Sequence, residues 1–114
     1  MADILVIVKE SPLNTIRCTE ALRMGLGLTL AENRVAVLFW GDGLYSLVPL
    51  RAEKVGRPSS EEFFKYCDRL SVPLLADGPG LADRKLAQLR PGVKVMARED
   101  VLRRIAESPI VIPY

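Results

Sequence analysis

Five short apolar stretches punctuate the chain: DILVIV at 3–8, RVAVLFW at 34–40, SVPLLA at 71–76, VKVM at 93–96 and PIVIPY at 109–114. Most are unbroken runs rather than alternations, the pattern of strands covered on both faces, so a largely parallel sheet is expected. Between them the period lengthens. Asn14 is placed to cap a helix that carries Cys18, Ala21, Leu22, Gly25, Leu28 and Thr29 at three-and-four spacing, with Arg17, Glu20 and Arg23 opposite. Asn33 then ends it. In SSEEFFKYCDRL, Ser59 and Glu62 form a capping box, and Phe63, Cys67 and Leu70 make the buried stripe. Leu81 to Leu89 offers Ala82, Leu86 and Leu89 to a core. REDVLRRIAES sets Glu99 and Asp100 in a first turn and Arg103 and Arg104 in a last one, which suits the helix dipole, and turns Val101, Leu102 and Ile105 inward.

Strands alternating with helices over 114 residues predict one α/β domain spanning 1–114, a three-layer sandwich with a five-stranded, mainly parallel sheet. The simplest arrangement is the flavodoxin-like strand order 2-1-3-4-5. One region resists this pattern. From Leu44 to Pro58 the apolar residues follow no clean period, and they read as a short helical turn over 44–47 followed by an exposed loop over 48–57.

Composition narrows the classes. At 49% hydrophobic and 26% charged, the chain has the profile of a soluble globular protein. Sixteen basic residues against fourteen acidic ones, scattered along the chain, provide no footprint for nucleic acid or an anionic membrane. Met1-Ala2-Asp3 leads directly into the first strand, too short and too acidic for a secretory leader, and no apolar run approaches membrane-spanning length; a cytoplasmic protein is expected. With no histidine and only Cys18 and Cys67, no Cys/His metal site, C-x-x-C redox motif or histidine triad can be assembled, and no cofactor is expected.

In open parallel sheets ligands gather at the carboxyl ends of the strands, which directs attention to KESPLNT, GDG and DGPG. These loops supply Lys9, Glu10, Ser11, Asn14, Asp42 and Asp77. Ser11 and Asn14 can hold a phosphate at a helix N-terminus, although Asn14 is more economically a cap. Gly41-Asp42-Gly43 and Asp77-Gly78-Pro79-Gly80 are also ordinary turn chemistry. The two cysteines fall on apolar helix faces, as structural thiols do, rather than beside cations. Trp40 and Tyr45 flank GDG, and Leu44, Leu47, Val48 and Leu50 crowd the segment that follows outside a regular element; that apolar density predicts that Trp40, Leu44, Tyr45 and Leu47 form a surface covered by another subunit.

VAVLFWGDGLYSLVP, and the closing DVLRRIAESPIVIPY, resemble the DsrE/DsrF/TusC-like proteins of intracellular sulfur relay and sulfur oxidation, with similarity of pattern along essentially the whole chain. The resemblance implies a five-stranded α/β sandwich and assembly into homo- or hetero-oligomers of DsrE/F-like subunits. It also implies a persulfide-carrying cysteine just after the third strand in the members that transfer sulfur. Here that place holds Ala76-Asp77, and an aspartate cannot form a persulfide. The expected function is therefore a non-catalytic oligomeric subunit or partner protein. The alternatives are a persulfide carrier using Cys18 or Cys67, and a small nucleotide- or phosphate-binding module. The last lacks P-loop and dinucleotide glycine patterns.

Overall fold

A computed structural model describes residues 3–9, 27, 34–47, 61–69, 71–86, 89 and 92–113. The capping box at Ser59, the loop over 48–57 and the expected first helix with Cys18, apart from the helical and exposed Gly27, lie outside the described residues. Within them the strands are β1 (Asp3–Val8), β2 (Arg34–Phe39), β3 (Leu74–Asp77), β4 (Val93–Met96) and β5 (Ile110–Pro113). The helices are α1 (Glu61–Arg69), α2 (Gly78–Asp83) and α3 (Arg98–Glu107), and a 3-10 segment covers Gly41–Leu47.

All four strand pairings are parallel, as the unbroken apolar runs require. The strand order differs from the expected 2-1-3-4-5: it is β4-β3-β2-β1-β5. Both arrangements satisfy right-handed crossovers, so burial decides between them. Every residue of β2 from Val35 to Phe39 is buried, which an edge strand cannot achieve. In the observed order β2 is interior, joined to β1 through Val6↔Val37 and to β3 through Leu38↔Leu75. The edges fall instead to β4, with its exposed Lys94, and β5, with its terminal proline.

The side-chain period of two divides the sheet into two faces. Ile4, Val6, Val8, Val35, Val37, Phe39, Leu74 and Ala76 face one way, against Leu44, Leu47, Phe64, Cys67 and Leu81. Leu5, Ile7, Ala36, Leu38 and Leu75 face the other way, against Val101 of α3. The crossovers from β2 to β3 and from β3 to β4 step in one direction and place α1 and α2 together, while the return from β4 to β5 carries α3 to the opposite face. Phe39 and Phe64 meet with ring centroids 6.1 Å apart, a contact worth about 0.5–1.5 kcal/mol beyond the burial of their area.

Three helical expectations change in detail. On α1 the buried positions are Phe64 and Cys67, while the side chain of Phe63, and Leu70, lie outside the described residues. Helix α2 begins earlier and is shorter than expected: its C-cap is Arg84, and Lys85 adopts a positive φ of 54°. Ala82 is consequently exposed, and Leu86 and Leu89 only lean on the core from the following loop. On α3, Val101 is buried and Ile105 half-buried, but Leu102 turns to solvent.

Candidate functional site

The observed order sets the carboxyl ends of β1, β2, β3 and β4 side by side, so the residues that follow them form a row. At the end of β1 the chain meets the 3-10 segment. Trp40 donates its N–H to the Val8 carbonyl at 3.0 Å, and Gly43 donates to the carbonyls of Lys9 and Trp40, both at 3.1 Å. Gly41 supplies a φ of +58°, and a Cβ on Gly43 would stand 2.0 Å from the Val8 carbonyl oxygen. The glycines of GDG thus serve a close backbone crossing. A 3-10 helix repeats every three residues, which turns Leu44 and Leu47 to the same side, and both are fully buried in the chain's own core. That corrects their expected place at an intersubunit surface. Trp40 and Tyr45 remain half-buried.

β3 ends on Asp77, the one buried charged residue among the described ones, with no exposed surface. Asp77 is the N-cap of α2: its backbone is extended and its Oδ2 accepts the Gly80 N–H at 3.2 Å. Pro79 in the first turn of α2 has no N–H that would need a partner there. A carboxylate taken wholly out of water needs a countercharge, and Arg98 provides it from the start of α3. Its Nε donates to Oδ1 at 2.9 Å and its Nη2 to Oδ2 at 2.7 Å. Such two-pronged pairs are among the strongest that side chains form. The parallel register explains why they meet: Asp77 lies opposite Met96, and Arg98 follows two residues later.

The Arg98 side chain keeps 44% of its surface exposed, and its guanidinium lies 5.7 Å from the centroid of the Trp40 ring. The hydrogen bond to Asp77 holds the guanidinium above its ordinary pKa; partial desolvation opposes this, and the Asp77 charge adds to it. Arg84 links the neighbouring turn, donating from Nη1 to the Gly80 carbonyl at 3.4 Å and from Nη2 to Asp42 Oδ1 at 3.3 Å.

The chemical capacity of this arrangement is limited. Both Asp77 oxygens are occupied and no water can reach them, so the group neither accepts a proton from a substrate nor attacks one. Asp42 is exposed and shares its charge with Arg84. Lys9 is exposed at the end of β1, and Glu10, Ser11, Asn14 and Cys18 lie outside the described residues. Cys67 is 1% exposed in the core beneath α1, away from this row. Sequence reasoning found Asp42 and Asp77 but missed Arg84 and Arg98. The available signal was Asp77 itself: a carboxylate ending an apolar strand implies a nearby cation. A groove of about 540 Å³ lies at the opposite end of the sheet, with the exposed Asp3–Arg34 pair at its rim. The amino ends of strands are not where open α/β sheets place ligands.

The sequence model of the DsrE/DsrF-like family matches residues 2–114. The crystal structure of the ychN protein from E. coli superimposes with a TM-score of 0.84 at 13% identity, covering 100% of both chains. At that identity the likeness speaks for the fold alone. No protein of curated function matches the sequence. Among the described residues no helix is long and apolar enough to cross a membrane.

Proposed function

Because this chain belongs to the DsrE/DsrF-like family, we propose that it works as a non-catalytic subunit of a sulfur-relay assembly, meeting other DsrE/F-like chains rather than carrying sulfur itself. The observation that carries this reading is Asp77. It stands where the resemblance places a transfer cysteine, and it is buried, capped on Gly80 and paired with Arg98. A persulfide carrier needs an exposed thiolate that a donor and an acceptor can both approach. A saturated carboxylate offers a fixed anion instead, which shapes the row of loops without reacting.

The rival reading, in which Cys67 is the carrier, is opposed by its 1% exposure, because a donor would have to open the core to reach it. The phosphate-module reading finds Asp42 and Asp77, the described carboxylates among its candidate residues, engaged by Arg84 and Arg98, which leaves those arginines poorly placed to serve an anionic ligand. The deciding experiment is native mass spectrometry of the protein incubated with a persulfide donor. The expected spectrum shows an oligomer with no added sulfur. A gain of sulfur that disappears when Cys18 or Cys67 is replaced by serine would refute the non-catalytic reading.

A further inference from the structure

The sheet ends in two open edges of different character. β5 is flanked by Pro109 and ends on Pro113, neither of which has an N–H to offer, so this edge is blunted against pairing. β4 contains no proline, its outer side has no neighbouring strand among the described residues, and its extended backbone continues through Ala97. The cover over β4 is also thin. Helix α2 spans only six residues, and Val95 remains 53% exposed.

We infer that β4 pairs antiparallel with β4 of a second copy of this chain, with Val95 on the two-fold axis. This rests on the subunit reading and deepens it by naming the surface through which copies meet. In a two-fold antiparallel pair, opposed residues point to the same face, so the axis must pass through a residue rather than between two. Only Lys94 or Val95 is central enough to keep most of β4 paired. Centring on Lys94 sets two ammonium groups against each other, which is destabilising. Centring on Val95 opposes the two exposed valines and sets Lys94 opposite Met96 of the second copy. Met96 shares a groove with Asp100, Arg103, Arg104 and Glu107 on α3, where Asp100 is paired with Arg103 at 3.3 Å. This register brings Lys94 of one copy toward the Asp100–Arg103 pair of the other, twice by symmetry. The charge at Lys94 selects one register and rejects the other.

The test uses the intact protein. Residues directly opposed across an antiparallel pair have Cα atoms about 4.5–5.5 Å apart, within disulfide reach. A Val95→Cys variant under a mild oxidant is expected to cross-link into a dimer, whereas the wild type and Lys85→Cys, exposed but off the edge, are not. In sedimentation velocity Lys94→Glu is expected to weaken association about tenfold, and Lys94→Glu with Asp100→Lys to restore it. An oligomer that shows neither the cross-link nor the charge effect overturns this inference and leaves the subunit reading standing. A monomer at micromolar concentration overturns both. Neither outcome bears on sulfur uptake, which the mass measurement reads separately.

Discussion

Replacing Gly43 by alanine adds one methyl group, yet the geometry around it makes the cost a large fraction of the stability of the whole chain. The new Cβ would stand 2.0 Å from the Val8 carbonyl oxygen, 2.6 Å from its carbon and 3.2 Å from the Lys9 nitrogen. All three are backbone atoms at the end of β1, which has a parallel partner on each side and cannot step back. The 3-10 segment must therefore move by about 1 Å, the distance needed to relieve a 2.0 Å contact. That movement stretches the hydrogen bond that the Gly43 N–H shares between the Lys9 and Trp40 carbonyls, worth roughly 1 kcal/mol. It also draws Leu44 and Leu47 from their buried sites, where each contributes roughly 1.5–3 kcal/mol. Partial loss of both leucines together with the hydrogen bond amounts to about 3–5 kcal/mol, against roughly 6–17 kcal/mol expected for a chain of this size. Urea unfolding followed by tryptophan fluorescence measures it directly, since Trp40 adjoins the segment. Gly27→Ala is the matched control: the site is helical and exposed, and a Cβ meets nothing within 4 Å, so stability should hold or rise by up to about 1 kcal/mol. A Gly43→Ala protein within about 1 kcal/mol of wild type would refute the reasoning.

Further outcomes follow from the same geometry. Arg98→Met should destabilise the protein more than Asp77→Ala in urea unfolding. The first strands a carboxylate that has no exposed surface, whereas the second costs a cap of about 1 kcal/mol and leaves a half-exposed guanidinium that water can serve; the reverse order of midpoints would refute this account of the Asp77–Arg98 pair. The Arg98 pKa is raised in the folded protein, so the stability it contributes is fully present below the ordinary arginine value and lost only as pH rises through the folded one. Alkaline titration short of that range should consequently leave the Arg98 contribution intact, and a loss of the wild type's advantage over Arg98→Met between neutral pH and pH of about 10 would contradict it. Cys67 should react with a thiol reagent only after denaturation, and labelling of the native protein at that position would reopen the carrier reading. Leu44→Ala should cost about 2–5 kcal/mol without altering oligomer mass, because the side chain fills the core of its own chain.

Strands β1, β2 and β3 were legible because each is a run of apolar residues that two-sided burial explains, and the parallel sheet follows from that, whereas β4 and β5 are largely exposed edge strands. Their order was less so. Nothing in DILVIV or SVPLLA says which strand lies beside which, but β2 carries five consecutive buried residues and β4 carries Lys94, and those two facts together favour β2 inside and β4 at an edge. Helix α2 was misjudged because its apolar residues continue to Leu89 after the backbone has turned at Arg84 and Lys85. Leu44 and Leu47 were sent to the wrong neighbour for a related reason: without a 3.6-residue period their face could not be assigned, whereas the 3-10 period of three assigns it inward. Asp77 was visible as a capping residue, but Arg98 lies 21 positions away and meets it only through the register of β3 with β4.

That register ties the two halves of the functional reading together. Arg98 leaves β4 and returns to grip the last residue of β3, so the pair closes the carboxyl ends of both strands like a clasp. A thiol at position 77 could not do this. It would accept no two-pronged bond, and a thiol in use as a sulfur carrier would need to be exposed and mobile, leaving the end of β4 free to shift. The carboxylate instead fixes the exit of β4 and the start of α3, the elements that bear Val95, Lys94 and Asp100. An edge strand offers a good template only when its backbone is held extended and its side chains keep one register. On the proposed reading, the residue that stands in place of the transfer cysteine is thus the same one that anchors the end of the edge strand proposed to meet another copy. If that edge is the assembly surface, the Arg98→Met variant should weaken association as well as stability, although Arg98 lies outside the β4 contact itself.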